Sequence, residues 1–91
     1  MPYIKKIDRI KYNNTIDKLC HEFEHHTKLN KIPVGDMNYV FSTIVNKLFD
    51  EHPSYQRAND LVGMLECVKQ EFIRRKVNPY EDEKIHENGD I

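Results

Sequence analysis

The chain has 91 residues, 38% of them hydrophobic and 32% charged, with a formal net charge of −1. That length gives one small domain and excludes a two-lobed enzyme, and the near-zero charge excludes a global field that recruits nucleic acid. Three glycines and four prolines are too few for a turn-rich β-sandwich.

Tyr12, Ile16, Leu19 and Phe23 recur at steps of four, three and four, which marks one face of a helix over about residues 8–27. Asn13, Asn14 and Thr15 are weak helix formers in mid-run, so this helix depends on packing of that face. A loop with Pro33 and Gly35 as breakers follows. Asp36 is the expected N-cap of a second helix over about 36–51, whose apolar face is Met37, Val40, Phe41, Ile44, Val45 and Leu48. "EHPSY" closes it, and Ser54 caps the third helix, about 54–76. The core face of that helix is Ala58, Leu61, Val62, Leu65, Val68, Phe72 and Ile73.

Gly63 within the third helix costs about 1 kcal/mol relative to Ala, which suggests a close approach by a ligand or another backbone. Asn78-Pro79 is read as the end of the helix and Asn88-Gly89 as a turn. The fold class is therefore all-α: a single three-helix domain, 1–91, with an extended N-terminus and an irregular acidic tail over 78–91. Glu81, Asp82, Glu83, Glu87 and Asp90 against Lys84 make that tail acidic and leave the body mildly basic. The tail is expected to fold back on the basic end of the third helix, with Tyr80 anchored against Phe72 or Ile73. Cys20 and Cys67 lack C-x-x-C spacing and fit buried free thiols in a reducing compartment. The N-terminus has no apolar h-region and no run approaches membrane-spanning length. The expected place is the cytoplasm, that of the host cell if the protein is viral.

"HEFEH" at 21–25 fits the H-E-x-x-H helix motif that holds zinc in metalloproteases. His21 and His25 share a face, but a third ligand is lacking: the extended motif wants Gly and His where this chain has Lys28 and Lys31. The match reads as chance. No metal, no cofactor and no enzymatic activity are expected.

A polar stripe on the third helix carries more. Asn59, Gly63, Glu66, Gln70 and Arg74 follow one line beside the apolar face, flanked by Lys69 and Arg75. Read as solvated surface, it holds Glu66–Lys69 and Glu71–Arg75 pairs. Read as a site, Gly63 admits a ligand, Asn59 and Gln70 read polar edges, and Arg74 or Arg75 clamps an anion. "RRK" at 74–76 also suits the negative end of its own helix and makes a poor nucleic-acid footprint. Asn38 and Tyr39 stand in the first turn of the second helix, where free N–H groups can bind an anion, although Asp36 competes for them.

"MPYIKK", "GDMNYVFS", "GMLECVKQEFIRR" and "PYEDEKIHENGD" together resemble a small family of unknown function met mainly in tailed bacteriophages, across nearly the whole chain. The resemblance implies a phage origin and a shared fold extent, and no activity. The HEFEH histidines lie outside its recurring pattern. Asn38, Tyr39, Gly63, Glu66, Lys69, Arg74, Arg75, Tyr80, Glu81 and Asp82 lie within it.

The expected function is binding. The partner is a host protein, in a counter-defence role, and the binding residues are Asn38, Tyr39, Asn59, Gly63, Glu66, Lys69, Arg74, Arg75 and Tyr80. A sponge for a small anionic nucleotide is the alternative. An all-α nucleotide pyrophosphohydrolase is a second, but Pro33 stands where its second carboxylate pair needs an acid. A homodimer or higher oligomer is expected, because the apolar arcs of the second and third helices exceed a single seam; Phe41, Val45 and Met64 are the residues left outside it.

Overall fold

Apolar periodicity becomes helix throughout the computed structural model, which describes residues 3–25 and 31–91. No strand occurs among the described residues. Helices α1 (Lys6–His25), α2 (Val34–Glu51), α3 (Tyr55–Phe72) and α4 (Asn78–Asn88) are present, and a π-helical turn, Ile73–Val77, joins the last two. The chain divides into two compact units, Met1–His52 and Pro53–Ile91.

In the first unit, α1 opens two residues before its expected start. Asp8 sits in its first turn, where a carboxylate meets the positive end of the helix. The Asp8 N–H donates to the Lys5 carbonyl at 2.9 Å, and Arg9 Nε donates to the Ile4 carbonyl at 2.9 Å, so the incoming segment is clipped to the first turn. Residues 26 and 27, the expected end of this helix, lie outside the described residues.

Helix α2 also starts early, at Val34, and this corrects the role given to Asp36. Pro33 holds the cap position without a side-chain cap bond, and the Met37 N–H donates to its carbonyl at 2.9 Å. A proline there loses nothing, because a first-turn N–H has no helical acceptor. Asp36 acts by charge, as an acid in the first turn. Phe23 of α1 and Phe41 of α2 meet with ring centroids 6.1 Å apart at 50°, the tilted geometry aromatic pairs favour. Leu19 and Phe23 on α1, with Met37, Val40, Thr43, Val45 and Phe49 on α2, are half-buried.

The second unit is one uninterrupted helical run. Ser54 is its N-cap, as expected: the backbone there is extended and the hydroxyl accepts from the Arg57 N–H at 3.0 Å. The far end departs from expectation. Residues 78–88 are helical, and the irregular tail is limited to the residues after Asn88.

The physical reason lies at Pro79. In a regular α-helix its ring would strike the carbonyl four residues back, and its missing N–H would leave that carbonyl unpaired. The chain widens by one residue here instead, so that the Asn78 N–H donates to the Ile73 carbonyl, an i→i−5 bond. Pro79 then occupies the first turn of α4, where an N–H is not required. Asn78, the residue before it, keeps a right-handed helical conformation (φ −62°, ψ −48°). Gly89 ends the run at φ +87°, a region open to glycine, and its N–H donates to the Ile85 carbonyl at 2.8 Å.

No side chain among the described residues is buried. The apolar faces named above form, but they remain open in the single chain. Cys20 and Cys67, expected inside, are both exposed free thiols. No described helix is long and apolar enough to cross a membrane.

Candidate functional site

The polar stripe of α3 is built largely from short-range pairs along one helix. Glu66 accepts from Gln70 Nε2 at 3.0 Å and stands 3.7 Å from Lys69 Nζ. These two neighbours hold its carboxyl below the usual range, the Gln70 hydrogen bond first and the Lys69 charge second. Asn59 is exposed one turn before Gly63. A Cβ added at Gly63 would meet nothing within 4 Å, so no close approach there explains the glycine.

Arg74 and Arg75 leave the stripe. Both turn back to Glu71, Arg74 Nη2 at 3.1 Å and Arg75 Nε at 2.7 Å. One carboxylate therefore engages both guanidinium groups proposed as an anion clamp, and a phosphate arriving there has to displace it. The Glu71–Arg75 and Glu66–Lys69 pairs match the sequence reading; the engagement of Arg74 by the same Glu71 was missed, though its E-x-x-R spacing is an i,i+3 pair.

The expected fold-back of Glu81 and Asp82 onto this basic end does not occur, since both lie on α4, which continues the helix beyond it. Tyr80 likewise stays on the run, 59% exposed, with Lys84 Nζ 5.5 Å from its ring centre. In the other unit, Asn38 Oδ1 accepts from the Ser42 hydroxyl at 3.0 Å, and Tyr39 is 71% exposed. Of the nine residues singled out, two belong to Met1–His52 and seven to Pro53–Ile91. Glu66 and Lys69 are brought together; Arg74 and Arg75 are brought to Glu71.

His21 and His25 share one exposed face of α1, their ring centroids 6.2 Å apart at 30°. Among the described residues, no group of three or more His, Cys, Asp or Glu is placed to hold a metal. His26 lies outside the described residues. The end of α4 forms an open depression of about 330 Å³ lined by Glu81, Lys84, Ile85, Asn88 and Gly89.

Residues 1–91 match the family described as "Domain of unknown function (DUF6899)". No curated protein and no solved structure matches the chain.

Proposed function

We propose that this chain, which belongs to the Domain of unknown function (DUF6899) family over residues 1–91, works by binding a protein partner through the apolar face of α2. The observation that carries this is that the face stays partly open beside the Phe23–Phe41 contact. Val34, Phe41, Ile44 and Leu48 follow one another at steps of seven, three and four, which places them on one side of the helix. Val34 remains 64% exposed and Ile44 45% exposed. Contiguous apolar surface of this kind on a small chain marks an interaction site. Anchors at i, i+3 and i+7 spacing are how an amphipathic helix seats in a hydrophobic groove.

A small anion is the weaker candidate ligand, because Glu71 already engages both arginines that would hold it. The resemblance to phage sequences is what supports a host protein as the partner class and counter-defence as the setting.

A photo-crosslinking side chain at position 44 tests this inside producing cells. The expected result is a covalent adduct with one protein other than the chain itself. That purified protein should then bind the chain about tenfold more weakly when Ile44→Asp is present, a modest loss for an interface anchor. Adducts with the chain alone, or none at all, would overturn the reading.

A further inference from the structure

The second unit has an apolar face of its own, separate from the α2 surface. Phe72 is 60% exposed and Tyr80 59%, with Leu65 and Val68 also open to solvent. A helical run with an open apolar face is marginal in water unless another surface covers it.

The π turn determines how far this face extends. In an unbroken α-helix the stripe through Leu65 and Phe72 would pass next to Lys76 and then to Pro79 or Glu83. The extra residue in the i→i−5 turn moves the register by one, so Val77 and then Tyr80 take those places. The charged residue rotates off the stripe and two apolar ones rotate onto it. Val77 is half-buried while Lys76 is exposed.

The lengthened stripe is symmetric. Counted in turns, so that the extra residue of the wide turn drops out, Ala58 and Tyr80, Leu61 and Val77, and Leu65 and Phe72 stand at equal steps on either side of the Val68–Lys69 pair. An isologous interface requires that residue i meet residue j while j meets i, and a stripe of this kind meets that condition against its own reversed copy. We infer that a second copy of this chain covers the face, running antiparallel to the first about Val68 and Lys69.

Size and charge both select that direction. Antiparallel pairing sets the small Ala58 against the large Tyr80 at each end. Parallel pairing would set alanine on alanine and tyrosine on tyrosine. Antiparallel pairing brings Arg57 of one copy beside Glu83 of the other, since both border the stripe on the same flank. Parallel pairing would align Arg74, Arg75 and Lys76 with their own copies, and Glu81, Asp82 and Glu83 with theirs, which is repulsive along both blocks. The overlap runs from about residue 55 to 83, roughly 43 Å at ~1.5 Å per residue, or about four heptads. Helices paired over that length reach the ~1,200 Å² of a small specific interface.

The test uses the full chain with Cys20→Ser and Cys67→Ser, so that introduced cysteines are the only thiols. Sedimentation equilibrium should give twice 10.9 kDa at micromolar concentration. On oxidation, a mixture of the Ala58→Cys and Tyr80→Cys chains should form the mixed disulfide well in excess of either homodisulfide. Arg57→Glu should weaken the dimer about tenfold, and adding Glu83→Arg should restore it. Leu65→Asp should abolish it, and if that variant unfolds the charge exchange still decides. A mass of 10.9 kDa at every concentration, homodisulfides dominating, or no rescue by the charge exchange would each overturn the proposal. Failure here leaves the α2 surface untouched, because the position-44 adduct reads the other unit.

Discussion

Glu71 shows how a single side chain can change the meaning of its neighbours. Two arginines that form an anion clamp in the sequence are, in the fold, the two partners of one carboxylate. Such exposed pairs contribute only about 0–1 kcal/mol, but they decide which way the guanidinium groups point. Gly63 is the complementary case. Its added Cβ has open space and its backbone is helical, so Gly63→Ala should raise stability by about 0.5–1 kcal/mol through helix propensity, read as a higher melting temperature. Loss of partner binding without loss of stability in that variant would identify the glycine as a contact point. Glu66 supplies a pH dependence. Its carboxyl is held below the ordinary range in the folded chain, so its stabilising pairs are present above that range and are lost as pH falls through the lowered value. Helicity followed by circular dichroism should therefore drop on that acid limb, and Glu66→Gln should flatten the drop. At this scale much was legible from spacing alone: the Ser54 cap and the Glu66–Lys69 pair follow from local rules. The turn of Arg74 to Glu71 was open to the same i,i+3 rule, and the clamp reading passed over it.

Among the elements, the wide turn at Ile73–Val77 is the decisive one. Three helical rods were expected and three occur among the described residues, counting α3, the π turn and α4 as one. The third is longer than the sequence suggested. Asn78-Pro79 carries the ordinary signal for a helix end, and α4 is so polar that no apolar period betrays it. Its real markers are the Lys84–Glu87 pair at 3.2 Å and Gly89 just past its last residue, where the turn signal turned out to be a C-terminal cap. Replacing Pro79 by Ala should remove the reason for the wide turn. Helix content should hold or rise, since proline is the poorest helix former by about 3 kcal/mol in an interior position. Self-association should nevertheless weaken, because Val77 and Tyr80 would rotate away from the stripe. Circular dichroism and sedimentation on the same sample would show whether the two move in opposite directions, as expected.

For the molecule as a whole, the governing fact is that no described side chain is buried. Amphipathic patterning made the faces of α2 and α3 readable, but patterning says only that a face is apolar, not what covers it. A chain whose apolar faces close against other surfaces has a stability that depends on their concentration. Its melting temperature should rise with protein concentration over the micromolar range, and a thermal transition independent of concentration would be the contrary result. The two exposed thiols, Cys20 and Cys67, were expected inside for the same reason: each adjoins apolar residues in sequence, which does not say whether another surface covers them.

The wide turn has one further consequence, for what insertion and deletion can do to this chain. It is equivalent to a single added codon in an otherwise regular helix, and Pro79 is the residue that such an addition accommodates. Deleting one of residues 74–76 would keep Val77 and Tyr80 on the stripe, yet return the proline to a regular helix, where it costs ~3 kcal/mol or more. Replacing the proline alone would keep the helix and turn those two side chains off the stripe. Only the two changes together would give a regular rod with the same face. A shortened chain that retains the proline is therefore expected to fold poorly, and one that loses both is expected to pair as the original does.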